Sequence, residues 1–272
     1  MGIPKSTVNT ATAFWDTLSP HHAAIEDNYL DIRSVRRIVH ELHEPVLVVG
    51  AGQGLILGEL RKQGLQCDGV DFSPEMIRYA KSRRGLNLFE ADAREMPFTD
   101  GSYGTLLYAT GVIDFICDEQ LIAAILKEGR RIAQPSRSLF VAFYRVSPAS
   151  EEFLKTTGLL KNHVLSQQEC LRMNRLTPAQ MVAWVANRTG RGYLATTGML
   201  LRLTARCSLK EKRLTFAMQK FFRNMQDPEA LINTASETVP YRNEAEIRNL
   251  FTRLAIPIKQ FQTFISCFMV RI

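Results

Sequence analysis

Gly50, Gly52 and Gly54 occupy alternate positions directly after four apolar residues, Val46–Val49. Without β-carbons, the backbone N–H groups of such a loop can come close to a ligand. The same spacing also suits a plain tight turn. Asp71, in "GVDFS", ends a second apolar run 17 residues after Gly54. A carboxylate there can accept both hydroxyls of a ribose, or it can serve as a helix cap or turn residue. Asp92, in "EADAREMPF", ends a third run. Glycines and two acids at three successive strand ends together describe a nucleoside site.

The elements that must hold these residues are legible in the periodicity. Residues 1–44 read as helical, with Val35, Ile38, Val39 and Leu42 on one face. The unbroken run Val46–Val49 predicts a strand covered on both faces. "LILGELRKQG" follows as a helix and "CDGVDF" as a second strand. Ser73 and Pro74 then open a further helix. "LNLFEAD", "YGTLLYATG" and "SLFVAFYRV" read as three more strands, the last two separated by the amphipathic "DEQLIAAILKEGRRIA". This alternation predicts an α/β fold with a mostly parallel sheet and helices on both faces. After "NEAEIRNLFTRLA", with Asn243 and Glu246 spaced as a capping box, come "PIKQFQTF" and "SCFMVRI". Their short connection makes that pair antiparallel.

Residues 147–239 are too long to be a structureless loop. Helix starts at Ser166, Thr177 and Ser208 predict an inserted helical subdomain, the last start leading a face of Leu214, Met218, Phe221 and Met225. The expected organisation is an N-terminal helical lid (1–44), a sheet domain (45–146 and 240–272) and a basic helical insertion (147–239). The net charge of +7 is concentrated: Lys155 to Arg223 holds 13 Lys and Arg against two acids, which leaves the rest of the chain net negative. Three partners suit a basic segment rich in Leu, Met and Phe: an acidic apolar small molecule, an anionic membrane surface, or RNA. Few aromatics are interleaved with the cations, which disfavours RNA. Solvated helix faces would give the same composition.

No window approaches 18 uninterrupted apolar residues, so no membrane span is expected. The first residues lack the apolar core of a signal peptide, although Gly2 and Ser6 fit the pattern for N-myristoylation. The five cysteines are scattered, with no pair at metal-ligand spacing, which suggests buried thiols in a reducing compartment. A cytoplasmic location and no metal are the expectations. His21 and His22 form a pair without a third ligand in view.

The stretches "VLVVGAGQG", "GVDFSPEMIRYAK" and "FEADAREMPFTDGSYGTLLYATGVIDFI", with the terminal strand pair, resemble the class I S-adenosylmethionine-dependent methyltransferases. The resemblance covers about residues 30–147 by motif and 243–272 by topology. It implies a seven-stranded sheet whose last strand is antiparallel, with S-adenosylmethionine as cofactor. It implies that the loop Gly50, Ala51, Gly52 and Gly54 faces the methionine part, and that Asp71 binds the ribose. Phe72 and Met76 would lie against the adenine, with Asp92 and the Ala93 backbone at its amino group. Thr110 and Gly111 would lie under the methionine and sulfonium. Three positions depart from the family: Val48 and Gly104 stand where acids are usual, and "QPSRS" replaces a glycine pair.

The resemblance places the acceptor pocket beyond the fourth strand. Asp114 there can orient or deprotonate an acceptor, or cap the helix beginning near Asp118. Tyr144, a second catalytic candidate, and Arg145 end the fifth strand. Arg145 can pair with an acidic substrate or be a solvated surface arginine. Trp15 and Tyr29 can close over the ligands or simply pack the lid. The fourth strand leads into "ATGVID", not the "NPPY"-type run of base-methylating enzymes of this fold. The expected function is therefore methyl transfer to a small or lipid-like, negatively charged acceptor. RNA methylation through the basic insertion, and cofactor binding without catalysis, stay open as alternatives. A nicotinamide dinucleotide site fits less well. "GxGxxG" fails at Leu55, Asp71 repels a 2′-phosphate, and Asp92 is left without a role.

Overall fold

The computed structural model describes residues 5–22, 32–207, 209–264 and 267–272. In chain order, α1 (Lys5–His22), α2 (Ile32–Ile38), β1 (Val46–Val49), α3 (Leu55–Lys62), β2 (Cys67–Asp71), α4 (Pro74–Arg84), β3 (Phe89–Glu90), β4 (Tyr103–Tyr108), α5 (Glu119–Ile132) and β5 (Ala133–Tyr144) come first. They are followed by α6 (Pro148–Thr156), β6 (Leu160–Lys161), β7 (Val164–Ser166), α7 (Gln167–Met173), α8 (Pro178–Thr189), α9 (Tyr193–Arg206), α10 (Leu209–Asn224), α11 (Pro228–Thr234) and β8 (Thr238–Pro240). Then come α12 (Glu244–Arg253), β9 (Gln260–Thr263) and β10 (Cys267–Arg271). The chain divides into two compact units: residues up to Arg145 together with Arg242–Ile272, and Val146–Tyr241.

The first unit is built on a seven-stranded sheet in the order β3-β2-β1-β4-β5-β10-β9. β1 runs parallel to β2 and β4, while β10 runs antiparallel to β5 and β9, as the terminal strand pair predicted. All four residues of β1 and all six of β4 are buried. Their side chains alternate between two cores. Leu47, Val49, Leu106 and Tyr108 join α5 and α12 on one face; Val46, Val48 and Leu107 join α2 and α3 on the other. Strands buried on both faces need no polar alternation, which is why these runs are continuous. The chain crosses from β3 to β4 past β1, so the strand order switches direction there. The carboxyl ends of β1 and β4 thus border the crevice where open α/β sheets take ligands.

Two departures from the usual family pattern have local causes. A β-carbon on Gly104 would sit 2.5 Å from the carbonyl oxygens of His43 and Glu44, so only glycine fits at that close approach. In "QPSRS", pairing with β4 jumps from Tyr103↔Ala133 to Thr105↔Ser138, and Ser136 takes a φ of 64°. The extra residues bulge out of the ladder, and a non-glycine holds a left-handed position. The third strand is shorter than "LNLFEAD" suggested: only Phe89–Glu90 pair, along the sheet edge, before the chain turns at Asp92.

The second unit is mainly helical and also carries three short strands that the sequence reading did not include. β6, β7 and β8 form a small antiparallel sheet. Asn162 and His163, both at positive φ (50° and 60°), make the turn between β6 and β7. Thr177 opens α8 with a complete capping box to Gln180. Ser166 precedes α7 without a side-chain capping bond, and Ser208 lies outside the described residues. So do the side chains of Leu214 and Met218; Phe221 is buried and Met225 half-buried. Val185, Met199 and Leu203 form a compact core with Phe153 and Trp184.

Cys67 and Cys267 are buried as expected, whereas Cys117 is exposed. Among the described residues no group of acids, histidines and cysteines could hold a metal ion, and no helix is long and apolar enough to cross a membrane.

Candidate functional site

The loop after β1 is shaped by backbone that only glycine adopts freely: Gly50, Gly52 and Gly54 have φ of 69°, 55° and 82°. The amides of Gly50 and Ala51 donate to the Val70 carbonyl at 2.9 and 3.0 Å, which ties the loop to β2. Gly54 then starts α3. Asp71, at the end of β2, accepts from the Gly52 amide (2.7 Å) and the Ser73 amide (2.9 Å). One carboxylate therefore joins the loops after two adjacent strands. Burial pushes the Asp71 carboxyl above the usual range, against the amides of Ser73 and Gly52, and the nearby Asp16 pushes the same way.

Ser73 caps α4 by accepting from the Met76 amide, which buries Met76 in the first turn; Phe72 stays half-buried beside it. Asp92 accepts both Nε and Nη2 of Arg94, the latter at 2.6 Å, as well as the Arg94 amide. Burial acts to raise its pKa, but the Arg94 bonds and charge outweigh this and hold the carboxyl below its ordinary range. The neighbouring Ala93 is half-buried against the core. Thr110 and Gly111 follow β4. The Thr110 hydroxyl and the Gln53 Oε1 are buried with no hydrogen-bond partner among the described residues. Two unsatisfied polar atoms beside a glycine loop and an acid make a donor and acceptor set that an amino acid joined to a nucleoside would complete.

α1 reaches three of these loops. A β-carbon on Gly111 would stand 3.2 Å from the Trp15 ring. Asp16 accepts from the Ser73 hydroxyl at 2.5 Å, and the Ser19 carbonyl accepts from Gln53. None of these ties has a motif in the sequence, because each pairs α1 with a loop more than thirty residues away.

Beyond β4, Asp114 is buried and does not cap α5; Asp118 does that, accepting from the amides of Gln120 and Leu121. Asp114 instead accepts from the Gly111 amide (2.8 Å) and the Tyr144 amide (3.3 Å), joining the ends of β4 and β5. Burial pushes its carboxyl up to about 7, against the Gly111 bond and the Arg242 charge. The rings of Phe115 and Tyr144 stack beside it, 5.8 Å apart. Arg242, which the sequence reading missed, donates to the carbonyls of Ile113 (3.2 Å), Asp114 (2.7 Å) and Ile116 (2.6 Å). It fixes the loop that carries Asp114. Arg145 donates to the Phe264 carbonyl and lies over the Phe268 ring. Tyr29 lies outside the described residues, as do the side chains of His21 and His22.

Residues 46–136 match the family described as "Methyltransferase domain". A demethylmenaquinone methyltransferase of Corynebacterium urealyticum is 31% identical over 104 residues, covering 37% of this chain and 45% of that protein. A ubiquinone biosynthesis O-methyltransferase of Xanthomonas oryzae is 23% identical over 183 residues, 65% of this chain and 75% of that protein. The chain spans about half the length of the first of the curated relatives it matches. A crystal structure of a SAM-dependent methyltransferase from Methanosarcina mazei shares the fold. Its TM-score is 0.50 at 16% identity, over 86% of this chain and 95% of that one.

Proposed function

We propose that the chain, whose residues 46–136 match a methyltransferase domain, is a class I S-adenosylmethionine-dependent methyltransferase that methylates a hydroxyl or activated ring carbon of an apolar aromatic acceptor. The names of its relatives, which concern menaquinone and ubiquinone, favour a quinol-like molecule. The observation that carries the reading is Asp114. It is a buried carboxyl pushed up to about 7, at the end of β4, beside the stacked rings of Phe115 and Tyr144.

Gly50, Ala51, Gly52 and Gly54, with Thr110 and Gly111, would hold the methionine part of the cofactor, and Asp71 the ribose. Phe72, Met76, Asp92 and Ala93 would hold the adenine, Asp92 after leaving Arg94. When bound, the cofactor supplies an electrophilic methyl group. The chain supplies the rest. The aromatic rings orient a flat acceptor, and the buried loops exclude water. Asp114, poised near neutral pH, takes the proton that a phenolic acceptor gives up. Arg242 keeps Asp114 in place, and Arg145, directly after β5, is a candidate charge for an anionic substituent.

Calorimetry with S-adenosylhomocysteine and with NADPH tests the cofactor half: binding is expected for the first and not the second. The acceptor half is read by incubating the chain with labelled cofactor and a panel of quinols, simple phenols and RNA. Label in an organic-soluble quinol or phenol is expected. Label appearing only in RNA overturns the acceptor assignment.

A further inference from the structure

Helix α9 is apolar on two sides. Thr196, Met199 and Leu203 face the core of the inserted unit and are buried. On the opposite side, Leu194 and Leu201, seven residues apart, are 91% and 66% exposed. Tyr193, at the start of the same helix, is 62% exposed. After Cys207 and residue 208, α10 repeats the arrangement: Leu209 and Phe216, again seven apart, are 64% and 66% exposed. A helix that is apolar all round is normally buried. Here two consecutive helices each leave a stripe of large apolar side chains in water.

The charges around those stripes narrow what can cover them. On α10, Lys212, Arg213 and Lys220 are exposed and fall at helical spacing beside Leu209 and Phe216. Between Arg191 and Arg223 the sequence holds eight Lys and Arg against a single acid, Glu211. A second copy of this unit, apposed through the same face, would bring like charges together. A nucleic acid would satisfy the cations but leave exposed leucines without a partner, and leucine offers no ring for a base to stack on. An anionic bilayer meets both demands at once. Its headgroups pair with the cations, while aliphatic and aromatic side chains enter the boundary of the acyl region.

We propose that the exposed apolar stripes of α9 and α10 together form a peripheral docking surface of the inserted unit for an anionic lipid bilayer. Leu194, Leu201, Leu209 and Phe216 insert, and Lys212, Arg213 and Lys220 contact headgroups. The assignment does not depend on which acceptor is methylated, nor on the cofactor site.

Flotation of the full chain with phosphatidylglycerol–phosphatidylcholine vesicles, against pure phosphatidylcholine vesicles, tests it. Binding is expected to the anionic vesicles and to weaken as salt is raised. The double variant Leu194→Asp, Leu201→Asp should lower partitioning by about tenfold or more for each inserted side chain lost. Lys212→Gln with Arg213→Gln should lower it about fivefold for each charge. Both variants should keep the helical circular dichroism and cofactor affinity of the parent. The charge-only variant, which leaves every apolar residue in place, separates docking from misfolding. Three results overturn the proposal: no binding of the parent chain to anionic vesicles, unchanged binding by both variants, or RNA capture with no vesicle binding.

Discussion

The two compact units treat large apolar side chains in opposite ways. In the unit built on the seven-stranded sheet, one described large apolar side chain, Phe89 on the edge strand, stands well exposed. In the inserted unit Val164, Tyr193, Leu194, Leu201, Leu209 and Phe216 all do. The polar groups run the other way. The sheet unit buries Asp71, Asp114, Gln53 and Thr110 around one crevice, whereas the insertion carries its cations outside. A unit that turns polar atoms inward is prepared for a small polar ligand. One that turns apolar atoms outward suits the bilayer surface proposed for it. The two tasks are separable by mutation.

The largest effect should come from Gly52→Val. Gly52 holds a φ of 55°, so a branched side chain there strains the loop, and it would enter the space proposed for the cofactor. S-adenosylhomocysteine binding should disappear from calorimetry while vesicle flotation is unchanged; joint loss of both would break the separation. Asp71→Ala comes next. It removes a carboxylate bonded to Gly52 and Ser73 and proposed to hold the ribose, and should weaken cofactor binding by roughly 1.5–3 kcal/mol, the range for hydrogen bonds to charged groups. Unchanged affinity would reduce Asp71 to a loop fastener.

Asp114→Asn should act through pH. The Asp114 carboxyl is raised from 3.8 to about 7 in the folded chain. Between those values the folded chain holds a proton that the unfolded chain has lost, so stability falls as pH rises across that window. Urea titrations from pH 4 to 7 should show a stability that falls more steeply with pH in the parent than in the Asn variant, where Asp71 still contributes a slope of the same sign. The rate should rise with pH through about 7 in the parent, as more Asp114 becomes a base, and be low and flat in the variant. The smallest effect is expected from Asp16→Ala. Losing its bond to the Ser73 hydroxyl should cost about 0.5–1.5 kcal/mol of cofactor affinity or less.

Much of the sheet unit was legible in the sequence because its signals are local. Val46–Val49 and Tyr103–Tyr108 are apolar throughout because neighbours cover both faces. Ser73 with Pro74, and Asp118 before its helix, mark starts by chemistry within one turn. What stayed hidden depends on distant partners or atypical residues. The β6–β7 hairpin turns on Asn162–His163, where glycine is the usual second residue, and its strands are too short to alternate. Arg242 binds three backbone carbonyls more than a hundred residues earlier, and carbonyls leave no trace in sequence. The Asp92–Arg94 pair was in plain view, two residues apart, but reading Asp92 for a ligand left its neighbour out.

Helix α1 touches the loops after β1, β2 and β4 through Ser19, Asp16 and Trp15, which lie within five consecutive residues. A molecule seated among those loops cannot depart by loosening one of them, because the same helix turn fastens all three. Departure is then expected to need α1 to lift as a whole, with the contacts it gives up slowing the dissociation rate. If the cofactor occupies those loops as proposed, its release is expected to limit turnover, which pre-steady-state kinetics checks. A rapid first equivalent of product followed by a slower steady rate is its kinetic signature.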